Sequence, residues 1–212
     1  MNIQHYKYPR TPHLPWSPGA DEDDIIIDTV DAFVGKEVVV TEKMDGECTT
    51  MYKNHIHARS IDSGYHPSRT WVANLHGQVR FMLNEDQRIC GENMFWVHSV
   101  IYTELESYFL MFNAWEGTTC LSWDDTKAMA EKLGLTMVPE LYRGTFDEDA
   151  IRALWSDDMY DYKEGYVVRP VASFERDEFQ QSIAKFVRKG HVQTDQHWMR
   201  SGGELNMLKI KN

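Results

Sequence analysis

The run Lys36 to Lys43 holds three valines in succession, Val38-Val39-Val40, and stops at Met44-Asp45-Gly46. Consecutive β-branched residues ending at a turn read as a buried strand. Similar short runs follow along the chain. Cys48 to Tyr52 and His55 to Ser60 read as returning strands, and Arg88 to Phe95 and Ser107 to Trp115 as core strands. Lys163 to Val171 and Ser182 to Arg188 close the pattern. Helices are fewer. One is expected from a Ser68 cap to about Leu83, with Trp71, Leu75, Val79 and Met82 on one face. A second opens at the Ser122/Asp125 box and stops at Gly134, a third opens at Thr145/Glu148 and runs to Trp155, and a short one is expected over His191 to Met199. Hairpins, rather than strict βαβ alternation, join the strands, so the sequence predicts an α+β fold of antiparallel sheets with flanking helices.

No Gly-rich phosphate loop follows any strand, which argues against Walker and Rossmann chemistry. The three cysteines, Cys48, Cys90 and Cys120, have no CxxC spacing, so a disulfide framework is not expected and a reducing cytoplasm is the expected location. No apolar run approaches the ~20 residues of a membrane span, so no membrane partner is expected. The nine histidines form no HExxH pattern, and alternation of His55 and His57 on one strand is a weak basis for a zinc site. A net charge of −11 weighs against broad nucleic-acid binding, although a small basic surface can act locally.

The chemistry is concentrated in an ordered series. Glu42-Lys43-Met44-Asp45-Gly46 sets a lysine at the end of a buried strand, before a turn. A lysine attacks phosphorus only as the neutral amine, and burial or neighbouring cations favour that form. Downstream come Arg59-Ser60, Gly91-Glu92, Phe109-Leu110-Met111-Phe112, Glu164-Gly165-Tyr166-Val167-Val168 and Ala184-Lys185-Phe186-Val187-Arg188. Any one of these motifs is weak by itself; their order is what carries information.

This series resembles the collinear motifs of the covalent nucleotidyltransferases, the superfamily of DNA ligases, RNA ligases and mRNA capping enzymes. Within it, Gly91-Glu92-Asn93-Met94 leading to His98-Ser99, Ser107-Tyr108-Phe109, and Ala184 to Arg188 with His191 to Asp195 are most similar to the RNA-ligase-2-like family. The resemblance implies a nucleotidyltransferase (ATP-grasp-like ligase) domain with ATP and Mg2+ or Mn2+ as cofactors. It implies that Lys43 is the nucleophile that carries AMP and that Glu42 lies beside the adenine. It places Arg59 on phosphate or ribose, Glu92 on the ribose hydroxyls and Phe112, rather than Phe109, in a stack on adenine. Glu164 would bind the metal, and Lys185 would neutralise the α-phosphate. The sequence departs from the family in two places: Asn113 stands where an acid usually follows the aromatic, and Val187 where a second lysine is usual, with Arg188 or Lys189 as substitutes.

The expected organisation is a lead-in at 1–35 packed on the core, an adenylyltransferase core at 36–190, and a short tail at 191–212. Only 24 residues follow Arg188, too few for an oligonucleotide-binding-fold domain. Lys185, Arg188, Lys189, Arg200, Lys209 and Lys211 offer a modest basic surface. The expected partners are RNA ends or a nicked duplex, with an accessory protein as a possible source of further affinity. A minimal ATP-dependent DNA ligase is the alternative, since it would share every motif.

Overall fold

A computed structural model describes residues 4–190 and 203–210. Two sheets carry the fold. The first has four antiparallel strands in the order β11-β9-β1-β8, formed by β1 (Glu37–Lys43), β8 (Glu140–Thr145), β9 (Gly165–Pro170) and β11 (Ala184–Val187). The second runs β10-β6-β5-β4-β2-β3. Its members are β2 (Glu47–Tyr52), β3 (Ile56–His57), β4 (Gln87–Asn93), β5 (Phe109–Glu116), β6 (Thr119–Cys120) and β10 (Phe174–Glu175). The short β7 (Thr136–Met137) adds the one parallel pairing among these strands, beside β5. The helices are α1 (Thr70–Val79), α2 (Trp123–Leu133), α3 (Glu148–Arg152) and α4 (Phe179–Ser182). The expected mixed architecture of antiparallel sheets and flanking helices is therefore present.

The three valines are buried because β1 is covered on both faces. Val38 and Val40 pack with Leu14, Phe33, Ile151, Tyr166 and Val168, whereas Val39 packs between the sheets with Met44, Leu110, Trp123 and Val138. Side chains alternate across a strand. Thr41 and Lys43 therefore share the inter-sheet face of Val39.

Several local expectations differ from the structure. Ser68 does not cap the helix after it: His66 Nδ1 accepts from the Ser68 amide, opening a 3-10 turn over Pro67–Arg69. The buried stripe of α1 is Val72, His76 and Val79, with Trp71 and Leu75 only partly covered and Met82 exposed. The third helix is capped by Asp147, whose side chain accepts from the Ala150 amide, because Thr145 is the last residue of β8. Strand β8 itself was not expected; its sequence, ELYRGT, alternates polar and apolar residues only weakly. By contrast, α2 follows its signals, with the Ser122 hydroxyl accepting from the Asp125 amide and Gly134 in the left-handed region at φ 66°. The helix expected over His191 to Met199 lies outside the described residues.

Both ends of the described chain pack on this core. The amide of Lys185 donates to Pro12 O and the amide of Leu14 donates to Lys185 O, so segment 12–14 runs beside β11. At the other end, Asn206 is buried. Its Oδ1 accepts from the Tyr102 amide at 2.8 Å, and its Nδ2 donates to Met94 O at 2.8 Å and Trp96 O at 3.2 Å. No helix among the described residues is long and apolar enough to cross a membrane.

Candidate active site

An open cleft of about 560 Å³ lies between the sheets. One wall comes from Thr41, Glu42 and Lys43 on β1, Val167 and Arg169 on β9, and Lys185 on β11. Strand register explains that wall: Thr41 pairs with Val167, and Val167 pairs with Lys185, so the three project together. The facing wall is Glu92 on β4 with Phe112 and Asn113 on β5.

A bulge aims that second wall. Cys90 pairs with Asn113 and Gly91 with Met111, leaving Phe112 as the extra residue. Phe112 and Asn113 both line the cleft as a result, while Phe109, Met111 and Ala114 face the hydrophobic core on the other side of the sheet. This places Phe112, and not Phe109, at the cleft.

Lys43 Nζ lies 2.5 Å from Glu164 Oε1. The two are brought together because Lys43 is paired with Gly165, the first residue of β9. Gly165 is required there, since a Cβ would collide with the Phe186 carbonyl of β11. The turn after Lys43 is equally constrained. A Cβ on Gly46 would sit 2.7 Å from both Asn93 O and Met94 Sδ. Asp45 Oδ2 accepts from the Ser99 amide, the Ser99 hydroxyl and the Val100 amide, each at 2.7 Å, and the Asp45 amide donates to Tyr102 Oη at 3.1 Å. The turn after Lys43 is thus bolted to the 98–102 loop.

Electrostatics here differ from the sequence-based expectation. Burial does press the Lys43 ammonium toward its neutral form, but Glu164, Glu92 and Asp45 outweigh it and hold its pKa above the ordinary lysine value. Burial pushes Glu164 up to about 7, against the pull of Lys43. Glu92 rises to about 8 from burial, also against Lys43. Lys185 falls to about 8, chiefly from burial and then from the Lys43 charge. The cleft therefore has a cationic Lys43, two carboxyls whose pKa values lie near neutrality and a second lysine, Lys185, lowered to about 8.

The remaining expected residues are placed as follows. Glu42 lines the cleft and accepts from Lys163 Nζ at 3.0 Å. Arg59 is exposed in the bend after β3 and does not line the cleft, although its charge bears on Lys185 and Cys48 from the rim. Arg188 is mostly buried over the Tyr160 ring, and Lys209 pairs with Glu106 at 3.0 Å. Arg200 and Lys211 lie outside the described residues. Tyr8, Thr11 and Arg169 line the cleft without having been singled out in the sequence. Tyr8 and Thr11 lie in a proline-rich lead-in with no periodicity; Arg169 could have been found by its alternation with Val167.

Among the described residues no group of three or more His, Cys, Asp or Glu side chains forms a metal cage. The donors that are present suit a hard cation shared with phosphates, because Mg2+ typically takes one or two carboxylates and completes its shell with substrate oxygens and water. Glu164 is buried behind the cleft wall and reaches it through Lys43, and Glu92 Oε2 is buried without a hydrogen-bond partner.

Comparison with known proteins places this geometry. A family model described as RNA ligase matches residues 36–187. Naegleria gruberi RNA ligase with PPi superposes with a TM-score of 0.52 at 18% identity, over 75% of this chain and 51% of that one. A variant of the same ligase with ATP and Mn gives 0.52 at 17% identity, over 75% and 52%. A putative ATP-dependent DNA ligase from Aquifex aeolicus gives 0.50 at 20% identity, over 75% and 46%. At these identities the superpositions establish a shared fold, and the chain spans about half the length of these solved relatives. No curated protein matches the sequence. With the family model covering most of the chain, including every motif from Lys43 to Lys185, the protein belongs to the RNA ligase family.

Proposed function

We propose that this protein is an ATP-dependent RNA ligase of the RNA-ligase-2-like type that adenylylates itself on Lys43, passes AMP to a 5′-phosphate end and joins that end to a 3′-hydroxyl. The observation that carries the reading is the Lys43–Glu164 pair, at 2.5 Å, with Lys43 lining a cleft shared by Glu92, Lys185 and Phe112. Solved relatives with PPi, and with ATP and Mn, are consistent with it.

In the first step the neutral Lys43 amine forms a P–N bond to the α-phosphorus of ATP as the P–O bond to pyrophosphate breaks. The lysine proton has Glu164 as its nearest acceptor. A 5′-phosphate oxygen then attacks the same phosphorus and breaks the P–N bond, restoring the amine. Finally a 3′-hydroxyl attacks the 5′-phosphorus and AMP leaves. Lys185 faces the cleft where charge develops on phosphate oxygens, and such fixed cations stabilise phosphoryl transfer. Glu92 would hold the ribose and Glu42 the base edge, while Arg59 would reach phosphate only from the rim. Mg2+ or Mn2+, held by Glu164, would neutralise the triphosphate and favour departure of pyrophosphate.

The acidic chain favours weak, local phosphate contacts, so an accessory protein or segment that adds nucleic-acid affinity fits the proposal. A minimal DNA ligase is the second reading, favoured by the superposition on the Aquifex aeolicus protein. The test is incubation with each radiolabelled nucleoside triphosphate and a divalent cation, followed by denaturing electrophoresis. Label from ATP is expected on the wild-type chain and absent from Lys43→Ala; undiminished labelling of that variant would sink the assignment.

A further inference from the structure

The cleft has a wall that the family-matched residues do not supply. Tyr8 and Thr11 precede residue 36, where the family match begins, yet both line the cleft. The Tyr8 ring stands edge-on to Phe112 and to Phe179, with centroids 5.3 Å away in each case.

The direction of the Tyr8 hydroxyl is set by the residues behind it. Arg169 is buried, and its guanidinium donates to Asn113 Oδ1, to Leu121 O at 2.7 Å and to Pro170 O at 3.2 Å. An arginine has donors only, so the Asn113 amide must turn its oxygen to Arg169 and its nitrogen away. That nitrogen donates to Tyr8 Oη at 2.7 Å. The hydroxyl is thereby an acceptor toward Asn113, and its one hydrogen remains to be donated by a residue that lines the cleft. Burial keeps the Tyr8 phenol well above its ordinary pKa, so it stays a neutral donor.

We propose that Tyr8 is a base-recognition residue whose hydroxyl donates to a ring nitrogen of the adenine held against Phe112, and that Asn113 is the positioning residue that turns that hydrogen into the cleft. The assignment deepens the adenylylation reading and rests on it. It also gives Asn113 a physical role. An aspartate at that position would offer acceptors on both sides, keep its partner Arg169, and draw the Tyr8 hydrogen into the wall. A donor aimed at a ring nitrogen rewards purines that carry a lone pair there, so it contributes to selectivity as well as affinity.

The experiment measures adduct formation by the full chain with ATP and with three analogues, each having one adenine ring nitrogen replaced by C–H. A single neutral hydrogen bond corresponds to a roughly three- to tenfold effect. The wild-type chain is expected to lose that factor in kcat/KM with one analogue. Tyr8→Phe is expected to lose it already with ATP, chiefly in KM, and to show no further loss with the same analogue. Asn113→Asp should reproduce the Tyr8→Phe pattern. A wild-type chain indifferent to all three analogues, or variants that keep the wild-type discrimination, would overturn the assignment while leaving adenylylation intact. A wild-type chain that forms no adduct with ATP would remove the adenylylation reading and this assignment with it.

Discussion

Lys43 and Glu164 meet at 2.5 Å because β1 and β9 are paired in a register that sets Lys43 opposite Gly165. The lysine is therefore held as an ammonium, with Glu164 foremost among the carboxylates that keep it charged.

A pH dependence follows for adduct formation. Attack requires the amine, so the single-turnover rate should climb with pH until Lys43 is discharged. Glu164→Gln removes the main charge that raises the Lys43 pKa, so the rising limb should move to lower pH. The plateau should nevertheless fall at least about tenfold, ~1.4 kcal/mol of barrier, because phosphate and metal handling are impaired. Quench-flow measurement from about neutrality to about pH 12, a range that spans the ordinary lysine pKa, reads both effects; an unmoved limb would show that Glu164 does not set the lysine.

Stability carries a separate signature at Glu92. Its pKa rises from an ordinary 4.5 to about 8 in the folded chain. Folded Glu92 thus retains a proton that the unfolded chain has lost, and its contribution is full below 4.5 and disappears as pH rises through about 8. Glu92→Gln has no charge to bury, so its melting temperature should exceed that of wild type at pH 8, and the difference should shrink at pH 5. His13, pressed to about 4 mainly by burial, contributes the opposite slope in both proteins and cancels from the comparison. A constant offset between the two proteins across this range would contradict the buried-acid account.

The two phenylalanines of β5 should separate function from folding. Phe112→Ala removes a stacking surface worth ~1–3 kcal/mol per base, and should raise the KM for ATP with only the smaller stability loss expected of a half-buried ring packed on Tyr8. Phe109 is fully buried in the core, so Phe109→Ala should cost about 3–5 kcal/mol of stability. Urea titrations paired with ATP titrations decide it, and the assignment fails if the two effects are exchanged.

Substrate choice can be read with nicked duplexes that differ only in the sugar at the 3′-hydroxyl side, sealed over a salt series. RNA at that side should be preferred, since the 2′-hydroxyl and A-form shape distinguish it from DNA. Sealing should weaken steeply with salt, because a chain of net charge −11 must hold phosphates with few local cations. Equal or better sealing of all-DNA nicks would favour the DNA-ligase reading.

The parts of this fold that were legible in the sequence are those fixed by local chemistry. The valine run, the Ser122 cap and Gly134 each specify their own backbone, and all lie where expected. The motif residues Lys43, Glu42, Glu92, Phe112 and Lys185 share one cleft, with Glu164 paired to Lys43 at its edge. What escaped the sequence depends on distant parts of the chain. The Lys43 pKa is set by carboxylates from β4 and from the residue before β9, which no local window contains. The aim of Phe112 depends on a bulge in β5, and the Tyr8 wall on a lead-in with no pattern of its own. Ser68 misled because His66, two residues earlier, supplied the acceptor instead.

The Asn206 contacts have a consequence for biosynthesis. Asp45 is held by Ser99, Val100 and Tyr102, and Tyr102 is in turn held by Asn206, 104 residues further along. A chain emerging from the ribosome can pair β1 with β8 and β9 well before Asn206 is available. The lysine turn then waits, framed by its sheet but not locked, until Asn206 arrives. The cleft is therefore framed before its lysine turn is locked, and a chain that lacks Asn206 should keep the paired sheet while losing order at Asp45 and Tyr102.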